Sequence, residues 1–254
     1  MKYERFNLLG VQVSAINMQQ ALEKIREWIE RGERQYVCVV PAHSIMDAYR
    51  QPELRPLFNA AGLCTPDGMG VVWLLKWYGY PHVSRVYGPD LMLAVCEQSV
   101  DEGWSHFFYG GAPGIAERLA ECLQARFPGL QVAGAYCPPF GELSIEEEYQ
   151  VVELINSSGA DVVWVGISSP KQERWMAKQR QSLHAPVLIG VGAAFDFLSG
   201  AKPQAPRWVQ RSGFEWLYRF IREPRRLWRR YIQYPLFIVL IVAQRLGILR
   251  FPQP

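Results

Sequence analysis

Three runs in this chain, Tyr36 to Val40, Asp161 to Gly166 and Pro186 to Val191, are apolar on successive residues rather than on alternate ones. A strand that is apolar on both faces must be covered on both faces, as strands are inside a parallel sheet with helices packed on either side. The segments between these runs agree. Met18 to Arg31 places Leu22, Ile25 and Ile29 on one helical face; a second helix is expected from about Asp90 to Asp101. Ile115, Leu119, Leu123 and Phe127 repeat every four residues, and Ser144 with Glu147 makes a capping box at the start of another helix. Ala60 to Cys64, Ser105 to Tyr109 and Gln131 to Ala135 read as further strands, and Arg5 to Val13 as a hairpin. Strand and helix alternate throughout, so the expected fold is α/β: a Rossmann-like, mostly parallel sheet with helices on both faces.

In such a sheet a ligand sits outside the carboxyl ends of the strands, so the residues that follow each strand are the candidates for chemistry. Asp67, in Thr65-Pro66-Asp67-Gly68-Met69, stands between a strand and the apolar helix from Met69 to Trp77 and leads the candidates for a reacting group. The same Pro-Asp-Gly is also an ordinary turn, and Asp before a helix is a good N-cap. His43, in a loop expected over Pro41 to Ser44, is a titratable group at a second strand end. Arg85 is the one basic residue between Lys76 and Arg118, in an apolar neighbourhood where it needs an anion, either a ligand phosphate or a protein carboxylate.

Gly110, Gly111 and Gly114 allow close backbone approach ahead of a helix whose free N–H groups can receive a diphosphate, with Pro113 in its first turn. G-x-G-x-x-G is absent, no Gly-Lys-Ser/Thr follows, and a plain βα turn is the other reading. Ser169 is expected to cap a helix begun by Pro170, with Lys171, Gln172 and Glu173 in its first turn, where they either grip a ligand or face solvent. Asp196, between Phe195 and Phe197, is costly to bury without a ligand or a hydrogen bond.

Charge divides the chain in two. Residues 207–254 hold ten arginines against Glu215 and Glu223, a formal +8, so the rest carries −5 of the total of +3. The boundary is placed between an α/β body, 1–202, and a basic, aromatic-rich helical appendage, 203–254. Its partner is expected to be an anionic surface. Leu236 to Ala243 adds eight apolar residues, too few to span a bilayer (about 20 are needed) but suited to lying on one. A nucleic-acid-binding tail gains nothing from that octet, so membrane is favoured and nucleic acid is not; a contact between copies in a homo-oligomer stays open. Five cysteines without C-x-x-C spacing, and four dispersed histidines, suggest neither disulfides nor a metal site, and no signal-peptide run opens the chain.

With these residues assembled, the sequence resembles the WecG/TagA/CpsF glycosyltransferase family. The resemblance is carried by Thr65-Pro66-Asp67-Gly68-Met69-Gly70, Arg85-Val86-Tyr87-Gly88-Pro89-Asp90, Gly110-Gly111-Ala112-Pro113-Gly114, Pro170-Lys171-Gln172-Glu173, Gly190-Val191-Gly192 with Phe195-Asp196, and Glu215-Trp216-Leu217-Tyr218-Arg219. It implies inverting transfer, without metal or other cofactor, of a sugar, often an N-acetylated amino sugar, from a UDP-sugar to a polyprenyl-diphosphate-linked saccharide in cell-surface polysaccharide synthesis. The site would work in the cytoplasm, peripheral on the inner face of the plasma membrane. The family's base falls on Asp67, its site arginine on Arg85 and its nucleotide- or sugar-contacting glutamine on Gln172. Arg219, Arg222, Arg226 and Arg229 of the appendage are expected to meet membrane or diphosphate. Two departures matter: Val39, Val40 and Pro41 stand where many members carry Thr-x-Asn, and Gln204-Ala205-Pro206 replaces Arg-Ala-Pro. The rival expectation is a non-catalytic nucleotide-sugar-binding or scaffold protein at the membrane surface.

Overall fold

A computed structural model describes residues 3–141 and 143–251, with the side chains of residues 226, 229 and 230 also outside the description. An antiparallel hairpin, β1 (Arg5–Leu8) and β2 (Val11–Ser14), precedes six strands: β3 (Gln35–Val40), β4 (Leu63–Pro66), β5 (Ser105–Gly110), β6 (Gln131–Tyr136), β7 (Val162–Gly166) and β8 (Val187–Gly190). These six form one parallel sheet in the order β4-β3-β8-β7-β5-β6. Its strands are apolar on both faces because both are covered. Val37, Val39, Phe108, Trp164 and Ile189 pack into one buried layer; Tyr36, Cys38, Phe107, Val163, Val165 and Leu188 pack into the other. All five cysteines are free.

The register fixes where chemistry can occur. Val40 lies beside Pro66, Cys38 beside Gly190, Val165 beside Gly190 and Tyr109 beside Val165. The carboxyl ends therefore form one rim; Gly110 ends β5 on it, and Asp67, Gln172 and Asp196 follow strands that end on it. Along that rim β4 and β5 are four strand spacings apart, about 19 Å at ~4.8 Å each.

Four local expectations are corrected. Pro41 to Ser44 is not a loop: Pro41 is the N-cap of a helix, Ala42–Arg50, that starts immediately at the end of β3. The Ala60 to Cys64 strand begins at Leu63 and continues through Pro66, which an edge strand tolerates because no partner needs the missing N–H. Pro113 lies ahead of its helix, Ile115–Arg126, whose N-cap is Gly114 at φ +80°. Pro170, not Ser169, is the N-cap of Lys171–Gln179. The helices Met18–Arg31 and Met69–Trp77 and the reciprocal Ser144 and Glu147 cap match the reading from sequence.

Beyond residue 203 the chain forms the helices Arg207–Arg211, Glu215–Arg222, Pro224–Tyr231 and Tyr234–Arg245. The last returns to the body. Gln244 Nε2 donates to the Asn7 carbonyl (2.6 Å) and its Oε1 accepts from the Leu9 N–H (3.0 Å). Phe237 and Ile241 are buried in the same layer as Val71 and Leu75 of the helix Met69–Trp77. The other side of the apolar octet, Leu236, Ile238, Val239 and Val242, is exposed. Among the described residues no helix is long and apolar enough to cross a membrane.

Candidate active site

Asp67 leaves the end of β4 with its N–H 3.4 Å from the Val40 carbonyl. It does not cap the helix that follows: Gly68 is the N-cap, and no side chain serves it. The carboxylate is thus free for another use. Val86 N–H donates to the Pro66 carbonyl (2.9 Å), which brings residues 85–87 alongside the strand end. Arg85 Nε donates to the Asp67 main-chain carbonyl (2.5 Å), and its Nη2 lies 3.6 Å from Asp67 Oδ1. The same Nη2 donates to Glu215 Oε2 at 2.5 Å, while Glu215 Oε1 accepts from the Tyr87 hydroxyl at 3.0 Å. Gln204 Nε2 completes the chain by donating to that hydroxyl (3.3 Å). The three charged side chains are only 17% (Asp67), 16% (Arg85) and 11% (Glu215) exposed.

Burial pushes the Asp67 carboxyl up to about 6; Arg85 and Arg219 pull it down, whereas Glu215 and Asp90 push with burial. Burial works to lower the Arg85 pKa, but Asp67 and Glu215 more than offset it and the group is raised. The result is a carboxylate in reach of neutral-pH proton chemistry beside a fixed cation.

This charged cluster faces a cavity of about 510 Å³ between the body and the C-terminal helices. Pro41, Ala42 and His43 line one side. Trp73, Leu74, Trp77, Trp216, Tyr234, Phe237, Ile238 and Ile241 give it mostly apolar walls, and Arg219 reaches in from the helix Glu215–Arg222. A second cavity, about 240 Å³, is lined by Asp196, Lys202, Arg219, Arg222 and Glu223 among others. Arg219 belongs to both. Asp196 is not left alone between its phenylalanines: Lys202 Nζ stands 2.8 Å from its Oδ2.

The structure therefore gathers Asp67, Arg85, His43 and Arg219 around one cavity, and Asp196, Arg219 and Arg222 around its neighbour. Gly110, Gly111, Gly114, Lys171, Gln172 and Glu173 share the rim but line neither. At Gly110 (φ +142°) a Cβ would meet the Gly166 backbone at 2.6 Å, and at Gly111 it would meet Ile115, so packing already requires both glycines. Lys171 is exposed, while Gln172 and Glu173 are buried. Gln172 Nε2 donates to Glu173 Oε1 (3.0 Å), leaving Gln172 Oε1 without a hydrogen bond among the described residues, toward Gly192. Burial raises the Glu173 pKa against hydrogen bonds from its own N–H, Gln172 and Ser169. Arg226 and Arg229 have side chains outside the described residues. No group of three or more His, Cys, Asp or Glu is placed to hold a metal ion among the described residues.

Glu215 and Tyr87 were not among the residues expected at the site. The signals were that both stand in blocks carrying the family resemblance and that Glu215 is one of two acids among ten arginines.

Comparison with known proteins extends the picture to the whole chain. Residues 6–250 match the family model described as Glycosyl transferase WecG/TagA/CpsF family. A Bacillus spizizenii protein named N-acetylglucosaminyldiphosphoundecaprenol N-acetyl-beta-D-mannosaminyltransferase is 27% identical over 215 residues, covering 85% of this chain and 81% of that relative. The match takes in the parallel sheet, Asp67 and Arg85 at its rim, and the C-terminal helices that supply Glu215 and Arg219, and on that extent the chain belongs to the WecG/TagA/CpsF family of glycosyltransferases.

Proposed function

We propose that this glycosyltransferase moves a sugar of the N-acetylated amino class from a UDP-sugar onto a hydroxyl of a saccharide that is linked through a diphosphate to a polyprenyl lipid, inverting the anomeric centre. The observation that carries the reading is Asp67: a carboxylate not spent on capping, with its pKa raised to about 6 by burial, at the floor of an apolar-walled cavity. As the acceptor oxygen bonds to the anomeric carbon, its proton passes to Asp67. The bond from that carbon to the diphosphate oxygen breaks on the opposite face, and its electron pair leaves with UDP. A diphosphate leaves as a stable anion, so one carboxylate suffices and no paired acid is needed. In this reading Arg219, on the walls of both cavities, and Arg222 in the second balance the leaving charge.

The relative's name supports the acceptor class, and the β linkage in it fits inversion of an α-linked donor. The walls support a lipid. Trp73 (53%) and Trp77 (51%) on the body are exposed, as are Trp208, Ile221, Ile238 and Val239 of the C-terminal helices. Arg245 lies over the Trp77 ring at 4.4 Å. Interfacial tryptophans with arginines make a surface that rests on anionic lipid without spanning it. We place the enzyme on the cytoplasmic face of the plasma membrane, where a nucleotide sugar meets a lipid-linked acceptor. The test is UDP release from a panel of UDP-sugars by the full-length protein. Release should require a lipid-diphosphate-linked saccharide; release independent of acceptor, or absent with every N-acetylated donor, contradicts the reading.

A further inference from the structure

Arg85 is held at three points. Its Nε is on the Asp67 carbonyl oxygen, its Cζ lies 3.9 Å from the centre of the Tyr87 ring, and its Nη2 is on Glu215. From there Nη2 is 3.6 Å from Asp67 Oδ1, beyond a good hydrogen bond, and that oxygen makes no hydrogen bond among the described residues. A guanidinium this close to a carboxylate would ordinarily grip it with charge-assisted bonds. Here the nearest donor is directed to Glu215, which the Tyr87 hydroxyl orients in turn. Asp67 and Arg85 belong to the body, whereas Glu215 opens the first turn of the helix Glu215–Arg222.

We propose that Glu215 is a positioning residue: by drawing Arg85 Nη2 to itself it keeps Asp67 Oδ1 free of a hydrogen bond from that guanidinium, so the C-terminal helices complete the base as well as cover the cleft. This rests on the reading of Asp67 as the base. The other charged or titratable groups facing Asp67 are Arg219 from the same helix as Glu215, Asp90 from Gly88–Glu102, Tyr87, Tyr234, and His43 on the cavity wall. Glu215 alone of these takes the donor that Asp67 lacks. Removing its charge in Glu215→Gln, nearly the same shape, releases Nη2 to Asp67. The carboxylate then ionises at lower pH and becomes a weaker base, because an adjacent cation lowers an aspartate by one unit or more.

The experiment is a carboxyl carbon NMR titration of Asp67 in the full chain, its resonance identified with Asp67→Asn, alongside the pH profile of kcat for acceptor-dependent UDP release. In the wild type the midpoint should lie near 6. In Glu215→Gln it should fall by about one pH unit, the acid limb of kcat should move with it, and the plateau should drop about three- to tenfold. Glu215→Asp keeps the charge but draws it back from Arg85, and should shift the midpoint the same way by less; it carries the test if the first variant does not fold. A midpoint unchanged from the wild type overturns the proposal in either variant. A midpoint that moves while the kcat limb stays supports the hold on Arg85 and contradicts Asp67 as the base, so the two readings fail separately.

Discussion

Burying a carboxylate in an apolar cleft favours its neutral form, and at Asp67 burial outweighs the pull of Arg85, so the group titrates near 6 rather than 3.8. The folded protein therefore binds this proton more tightly than the unfolded chain does, and between about pH 4 and 6 stability falls as pH rises. Above pH 6 the ionised group weighs against the fold by about 3 kcal/mol. Asp67→Asn removes that charge and should raise Tm on the order of 5 °C at pH 7.5, with the gain gone at about pH 4. Calorimetry at the two pH values checks this, and a variant that melts below wild type at pH 7.5 contradicts it. Asp67 and Arg85 were legible in the sequence because each is conspicuous locally, one at a strand-to-helix junction and the other as a lone base in apolar surroundings. Glu215 was not. Its partners Arg85 and Tyr87 lie about 130 residues away, and in its own segment it stands out only as one of two acids among ten arginines.

At the scale of elements, the strands that are apolar on every residue were readable because both sheet faces are covered. The sites where one proline or glycine serves two ends were not. Pro41 looks like a breaker in sequence yet caps a helix, and Gly110 looks like a ligand glycine yet is demanded by β7. With φ +142° and the Gly166 backbone 2.6 Å from its missing Cβ, Gly110 tolerates no side chain whatever the ligand. Gly110→Ala should cost about 2 kcal/mol or more, since neither the dihedral nor the neighbouring backbone can give. Gly114→Ala, which meets open space at φ +80°, should cost about 1 kcal/mol. Urea unfolding of the two variants separates packing from ligand binding; equal, small losses would contradict the packing account. The C-terminal helices show the same double use, with Phe237 and Ile241 buried on the body and Ile238 and Val239 exposed on the other side of one helix.

The whole molecule sets an acidic body against a basic C-terminal end, and both carry exposed apolar side chains, Trp73 and Trp77 on the body and Ile221, Ile238 and Val239 on the C-terminal helices. Ile221→Ser with Ile238→Ser in the full chain should weaken flotation with anionic vesicles while leaving Tm within about 1 °C, because both side chains are exposed. Unchanged flotation would detach this surface from lipid. The larger cavity has aromatic walls from Trp73, Trp77 and Trp216 and shares Arg219 with the second cavity, an arrangement that the proposed reaction would use to bring a lipid-linked acceptor to a charged donor. The proposed reaction rests on a single proton acceptor, Asp67. The most direct measurement is the turnover of Asp67→Asn at pH 7.5 with UDP-sugar and a lipid-diphosphate acceptor. UDP binding should stay close to wild type while kcat falls by about 10²- to 10⁴-fold; turnover within a few-fold of wild type would remove Asp67 from the reaction.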